Sequence, residues 1–395
     1  MNKQKLVDTR FFYFILLCIS AMTALGSIVI APSLPYLEKH FNNVANIAYL
    51  SKLVLTIPAI FIVFFSPISG YLFDKYKRLN LLYPAMLIWG ISGVSGFFLD
   101  NIYYILISRA IFGIANAFVM TGASALIADY YTGTKREKAL IAKSLGYAFI
   151  SAICVILGGF LAKISWRYPF LIYGIAFVIF LFAIFLLFEP KKSDMINKNI
   201  KDINFNFFTF LPIYTFSFLG IALFYIAPTQ VPFVITNILQ KSGDFIGYGL
   251  ALIFICSASV SIFYTKIRQV LSLYSMYSLC FGAIGIGLCI IKIFQSYPMT
   301  LIALSAIGFG LGILLITNSI WLFSLTNQHN RAKAYGFLVS SVFIAQFSSP
   351  LLTQPIVGKF GLLNMFLVFG LISFFIATMF LIKSFIKNKR QNPVK

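Results

Sequence analysis

The sequence predicts an all-α membrane protein of twelve transmembrane helices in two six-helix bundles, related by a pseudo-two-fold axis along the membrane normal. Three observations carry this expectation. Of the 395 residues, 60% are hydrophobic and only 10% charged, and the mean hydropathy is +0.92. A soluble domain runs nearer half apolar and a quarter charged. The apolar residues gather into twelve runs, and the second six runs echo the first six.

The runs fall at about 11–33, 49–72, 80–98, 102–128, 139–162 and 168–188, then at about 208–232, 245–265, 272–293, 298–324, 333–356 and 363–384. At roughly 20 apolar residues per crossing, twelve spans use about 240 residues. The remainder makes short connections and leaves no room for a soluble catalytic domain. The first run has the outline of a signal peptide. It is long for one, and no small-residue cleavage site precedes Pro32, so an uncleaved first span is expected.

Orientation follows from lysine and arginine, which accumulate in cytoplasmic loops. With the N-terminus inside, 23 of the 31 basic residues fall in inner segments and seven on the outer side, while Arg109 lies within a span. Both termini are therefore expected in the cytoplasm. The net charge of +21 is read as this bias and not as a footprint for nucleic acid. The polar stretch at 189–207 divides the chain into an N-terminal bundle (1–188), a cytoplasmic linker and a C-terminal bundle (208–395).

The internal echo has a nearly constant offset. Ile30-Ala31-Pro32 recurs as Ile226-Ala227-Pro228, and Arg136, Lys138 and Ala139 recur as Arg331, Lys333 and Ala334. Phe170-Leu171-Ile172-Tyr173-Gly174 recurs as Phe366-Leu367-Val368-Phe369-Gly370, and Lys75, Lys77, Leu82 and Tyr83 as Lys266, Arg268, Leu273 and Tyr274. Duplicating an even number of spans preserves orientation, which gives halves related by an axis along the membrane normal. That geometry places a substrate site between the halves near the midplane, with access alternating by rocking.

Five cysteines (Cys18, Cys154, Cys256, Cys280, Cys289) lie in apolar stretches without metal-type spacing, so buried thiols are expected and no metal site. Between spans 2 and 3, Gly70, Asp74 and Arg78 stand at i, i+4 and i+8 and share one face of a continuing helix. There the glycine permits close helix approach, and the aspartate suits the positive end of a neighbouring helix. Further motifs are Arg109-Ala-Ile-Phe-Gly113 in span 4, Ala128-Asp129 through Arg136-x-x-Ala139, Trp166-Arg167-Tyr168-Pro169-Phe170, and Pro32-Ser-Leu-Pro35 at the end of span 1. Together these resemble the major facilitator superfamily over essentially the whole chain, particularly its twelve-span drug:proton antiporter-like branch. One departure stands out. That branch carries Gly-Pro ahead of the glycine pair of span 5, whereas this chain has Cys154-Val155 before Gly158-Gly159. Ser349-Pro350 occupies the equivalent place in span 11, where a proline is expected to kink the helix.

The resemblance implies a conformational latch of Gly70, Asp74, Arg78 and Asp129. In it Asp74 caps span 11 near Asn330 and Arg78 pairs with Asp129 in the outward-open state. It also implies a cavity lined by spans 1, 4, 7 and 10. Polar or aromatic candidates there are Asn116, Thr121, Tyr225, Gln230, Asn318 and Trp321, with Gln346 on span 11; each alone reads first as packing or interhelical hydrogen bonding and second as a ligand contact. Ionisable groups inside spans mark functional sites by default, which singles out Arg109. Lys52 reads as a side chain reaching back to the outer interface. No acid lies at the midplane, and neither does His40 or His329. That favours a neutral, zwitterionic or anionic solute over a lipophilic cation, with Glu38 and Asp129 as the acids left to carry a proton.

The expectation is thus a monomeric exporter of a small organic solute or drug in the bacterial inner membrane, driven by protons and needing no cofactor. The alternative is an uncoupled facilitator or uptake permease. No cluster of catalytic His, Asp or Cys points to an enzyme.

Overall fold

In the computed structural model the described residues are 7, 9–190, 206–326 and 328–391, and the described chain is almost wholly helical. Eleven of its helices are long and apolar enough to cross a membrane. The twelfth is the first in the chain, Arg10–Ile28. Beyond it the backbone tightens over Ala31–Ser33 and resumes as the short helix Leu34–His40. Pro32 and Pro35 explain the break, because neither offers the N–H that would continue the helical ladder. Spans 2 to 6 follow as Ile47–Lys75, Arg78–Phe98, Ile102–Tyr130, Gly146–Ile164 and Tyr168–Leu186. Spans 7 to 12 are Phe207–Ile238, Gly243–Val270, Leu273–Ile293, Tyr297–Leu325, Lys333–Phe360 and Leu362–Ile386. The linker expected at 189–207 lies almost wholly outside the described residues.

The chain divides into two compact units, Met1–Lys198 and Asn199–Lys395. Within the first, span 2 packs on span 4, span 3 on spans 4 and 6, and span 1 on span 5. Within the second, span 8 packs on span 10, span 9 on spans 10 and 12, and span 7 on span 11. Each pairing recurs six spans later.

The repetition reaches atomic detail. A Cβ placed on Gly113 would lie 2.5 Å from the Pro58 carbonyl oxygen, and one on Gly308 would lie 2.4 Å from that of Ile253. Both residues of the second pair stand 195 positions beyond the first. Only glycine permits this approach of spans 4 and 2, and of spans 10 and 8. One sequence expectation changes here. A Cβ on Gly70 would meet nothing within 4 Å, so close helix contact is not what that glycine supplies in this structure. Span 11 holds both Pro350 and Pro355 inside the helix Gln328–Phe360.

Candidate functional site

Two constellations in the first unit hold all its charged candidates but Glu38. One lies where span 2 ends and span 3 begins. Lys77 precedes the first turn of span 3 and offers no capping oxygen, so the free N–H groups there need an acceptor from elsewhere. Glu189, just past span 6, supplies it. Its Oε1 accepts from the Arg78 amide at 2.6 Å and its Oε2 from the Leu79 amide at 3.0 Å. The negative charge also suits the positive end of the helix. The Arg78 side chain turns the other way. Its Nε donates to Asp129 Oδ2 at 2.9 Å, and its Nη1 donates to the Phe73 carbonyl and, at 3.5 Å, to Asp74 Oδ1. Arg78 and Asp129 are mostly shielded, whereas Asp74 is open. Tyr130 and Tyr83 donate to the carbonyls of Phe188 and Ala183, fastening spans 4 and 3 to the end of span 6.

Glu189 is the member that sequence reasoning missed, placed instead at the head of the linker. A helix start with lysine at its cap position was the available hint that a remote acid was needed. Nothing local pointed 111 residues downstream.

The second constellation surrounds Arg109, whose side chain is fully buried. Its Nη2 donates to the carbonyls of Ser92 at 2.7 Å and Gly93 at 3.0 Å on span 3. The guanidinium lies over the rings of Phe112, Tyr173 and Phe170 at 4.5, 4.9 and 5.3 Å, a cage whose negative π faces favour a cation. Span 3 makes room for it with glycine. A Cβ on Gly93 would stand 2.5 Å from Tyr173, and one on Gly96 2.2 Å from Phe170. Arg109 Nε and Nη1 and the Tyr173 hydroxyl have no hydrogen-bond partner among the described residues, and no carboxylate there pairs with the guanidinium.

Most of the other candidates fall into contacts between helices. Asn116 accepts from the Trp89 indole at 3.1 Å, and Asn318 accepts from the Tyr277 hydroxyl at 2.6 Å. Trp321 meets Tyr277 edge to face at 5.5 Å. Gln230 donates to Thr353 at 2.9 Å, while its buried Oε1 has no partner among the described residues. Thr121 bonds Ser69 at 2.8 Å. Tyr225 packs edge to face on Phe224 at 5.0 Å, and Gln346 is buried.

Glu38 accepts from Ser51 at 3.0 Å and from Lys52 at 3.5 Å. Lys52 is only 3% exposed and also donates to the Ala48 carbonyl at 2.8 Å. The sequence expectation that Lys52 snorkels to the interface is thus corrected, because a carboxylate and a carbonyl within reach hold the ammonium inside. Among the described residues no group of three His, Cys, Asp or Glu is placed to hold a metal, and the five cysteines are free thiols.

Repeated helix pairing in two units, with fastened charges at span ends, defines a multi-pass helical membrane protein built on an internal duplication. The chain belongs to the major facilitator superfamily, whose family model matches residues 16–226 and 210–395. A relative from Staphylococcus aureus, the quinolone resistance protein NorB, is 33% identical over 176 residues, which are 43% of this chain and 36% of that protein. The match thus spans little more than a third of the relative. Among solved structures, a bacterial homologue of the human lysosomal transporter Spinster, inward-facing and occupied, superposes with a TM-score of 0.77 at 14% identity, covering 95% of this chain and 97% of the other. A POT family transporter in complex with 5-aminolevulinic acid gives 0.76 at 12% identity, covering 95% of each chain. A D-xylose–proton symporter gives 0.73 at 16% identity, covering 94% and 97%. These likenesses establish the fold.

Proposed function

We propose that the protein is a secondary active transporter that exports a small organic solute or drug by proton antiport, with access alternating between its two six-helix bundles. It works in the bacterial inner membrane as a monomer with both termini in the cytoplasm. The observation that carries this reading is the Arg78–Asp129 pair at 2.9 Å, set beside Asp74 at the junction of spans 2, 3 and 4. The shielded pair joins spans 3 and 4, and Arg78 also reaches the Phe73 carbonyl and Asp74 of span 2, so movement of any of the three ends against the others must break a contact of this arginine. In this reading Gly70, Asp74, Arg78 and Asp129 form the latch. The partial relationship to a quinolone resistance protein favours export and puts quinolones first among trial substrates. Arg109, Asn116, Tyr225, Gln230, Asn318, Trp321, Gln346 and Glu38 are the substrate and coupling candidates.

One observation favours the second reading, an uncoupled facilitator or uptake permease for a neutral or anionic metabolite. Every carboxylate among the described residues belongs to a connection or lies near a helix end, so none sits at mid-span to carry a proton. Inside-out vesicles with an imposed proton gradient and a pH-sensitive dye separate the two. Collapse of the gradient on adding a quinolone or another member of a panel of cationic, neutral and anionic compounds supports antiport and identifies the solute's charge. Counterflow of a labelled solute without collapse transfers the case to the facilitator. Asp74→Asn with unchanged transport and unchanged inner-side accessibility removes the latch from either reading.

A further inference from the structure

The outer end of span 1 is a discrete element with fastenings on two sides. It begins at the break after Ile28, where a tight turn containing Pro32 leads into the helix Leu34–His40. A Cβ on Gly158 would lie 2.3 Å from the Val29 carbonyl oxygen, so span 5 presses directly on this break. On one side Glu38 is tied to Ser51 and Lys52 of span 2. On the other, His40 Nε2 lies 2.8 Å from Asp100 Oδ1, in the connection between spans 3 and 4. The same oxygen accepts from Arg167 Nη2 at 2.5 Å, and Arg167 Nη1 reaches the Phe97 carbonyl at 3.2 Å. Trp166 closes the cluster, with its ring 5.2 Å from His40 and 5.6 Å from Phe41 and the Arg167 guanidinium 4.8 Å above it.

We propose that His40, Asp100 and Arg167 form a pH-sensitive clasp on the outer face, fastened when the outside is acidic and loosened towards alkaline pH, which sets how freely the outer end of span 1 departs from its bundle. The inference rests on the reading of the chain as an alternating-access transporter with these connections outside. Imidazole is the side chain whose charge ordinarily changes between pH 5 and 8. His40 and Asp100 are 41% and 63% exposed, open to protons from solution. The hydrogen bond from His40, with help from Arg167, holds the Asp100 carboxyl below the usual carboxylate range, so Asp100 stays charged across that window. Protonated, the ring makes a charge-assisted bond to a carboxylate that Arg167 also holds; deprotonated, it keeps a neutral bond of roughly half the strength. The other charged groups nearby are Lys39 and Glu38 on the same short helix, Lys52 of span 2 beyond Glu38, and Lys163 at the end of span 5. Glu38–Lys52 ties one side of the short helix, and His40–Asp100 is the fastening on the other side that carries an imidazole. For an exposed pair the open-to-closed ratio should change by about fivefold or less.

The test uses the full chain in nanodiscs, its native cysteines replaced and spin labels attached through Asn42→Cys and Lys163→Cys, both exposed positions. Distance distributions are measured at pH 5.5 and 7.8. The expected result is a narrow distribution at pH 5.5 and a second, longer population at pH 7.8. His40→Gln should make the distribution independent of pH, and Asp100→Asn should give the longer population at both values. Identical wild-type distributions at the two pH values, or a surviving pH response in His40→Gln, would overturn the proposal. The readout requires no substrate, so a pH-dependent clasp without counterflow of any solute counts against the transport reading and not against the clasp.

Discussion

Replacing Arg109 by methionine separates the work of its charge from the work of its bulk. Two hydrogen bonds from the guanidinium to the Ser92 and Gly93 carbonyls are each worth about 1.5–3 kcal/mol when one partner is charged. The three surrounding rings add about 2 kcal/mol for a desolvated cation. Against these stands the burial of an unneutralised charge, which costs several kcal/mol even after relaxation. The terms nearly cancel. Arg109→Met, which fills most of the space and removes the charge, should therefore keep Tm within a few degrees of the wild type. Arg109→Ala leaves a cavity among Phe112, Phe170 and Tyr173 and should lose about 3–5 kcal/mol, as other large truncations do. If the charge takes part in transport, the methionine variant should fold normally and lose at least tenfold in counterflow in proteoliposomes. Wild-type counterflow from that variant would refute a transport role and leave Arg109 as a packing residue. A large fall in Tm would show that the near-cancellation is wrong.

Three further outcomes follow from the same contacts. A double-mutant cycle on Arg78→Gln and Asp129→Asn should show a coupling of about 1.5–3 kcal/mol in detergent unfolding, because both groups are largely shielded; additivity within about 0.5 kcal/mol would mean the pair contributes nothing. Glu189→Ala should cost about 0.5–2 kcal/mol through loss of the span 3 cap, with Glu189→Gln recovering part of it, and equal stability of all three proteins would remove Glu189 from the cluster. Gly113→Ala and Gly308→Ala should each destabilise by about 1–3 kcal/mol by overpacking, while Gly70→Ala should leave thermal stability unchanged or slightly raised. If Gly70→Ala nonetheless slows transport, the effect belongs to the moving states and not to packing in this one.

The membrane class and the repeat were legible in the sequence because both are written in composition and spacing. Long apolar runs have only one stable arrangement in lipid, the helix whose polar backbone groups are satisfied internally. Near-constant offsets between matching segments survive in the linear order, and the glycine pairs at Gly113 and Gly308 show the same offset in three dimensions. Arg78 and Asp129 could be named because they fall in a recognisable motif, and Arg109 because a charge inside a span is conspicuous in any apolar sequence.

The identity of each charge's partner was decided only by the tertiary structure. Glu189 reads as the beginning of a polar linker until span 6 brings it to the uncapped start of span 3. Lys52 reads as a snorkelling side chain until the broken end of span 1 carries Glu38 back over span 2. Arg109 reads only as a conspicuous charge within a span until Gly93 and Gly96 admit the rings of Tyr173 and Phe170, which enclose it. His40, Asp100 and Arg167 are separated by 60 and 67 positions and share no motif. Sequence specifies which groups must be satisfied, because an unpaired polar group is costly in a low-dielectric interior. Which distant group satisfies them depends on helix packing, and that is fixed by small residues and proline breaks whose effect appears only when the spans are brought together.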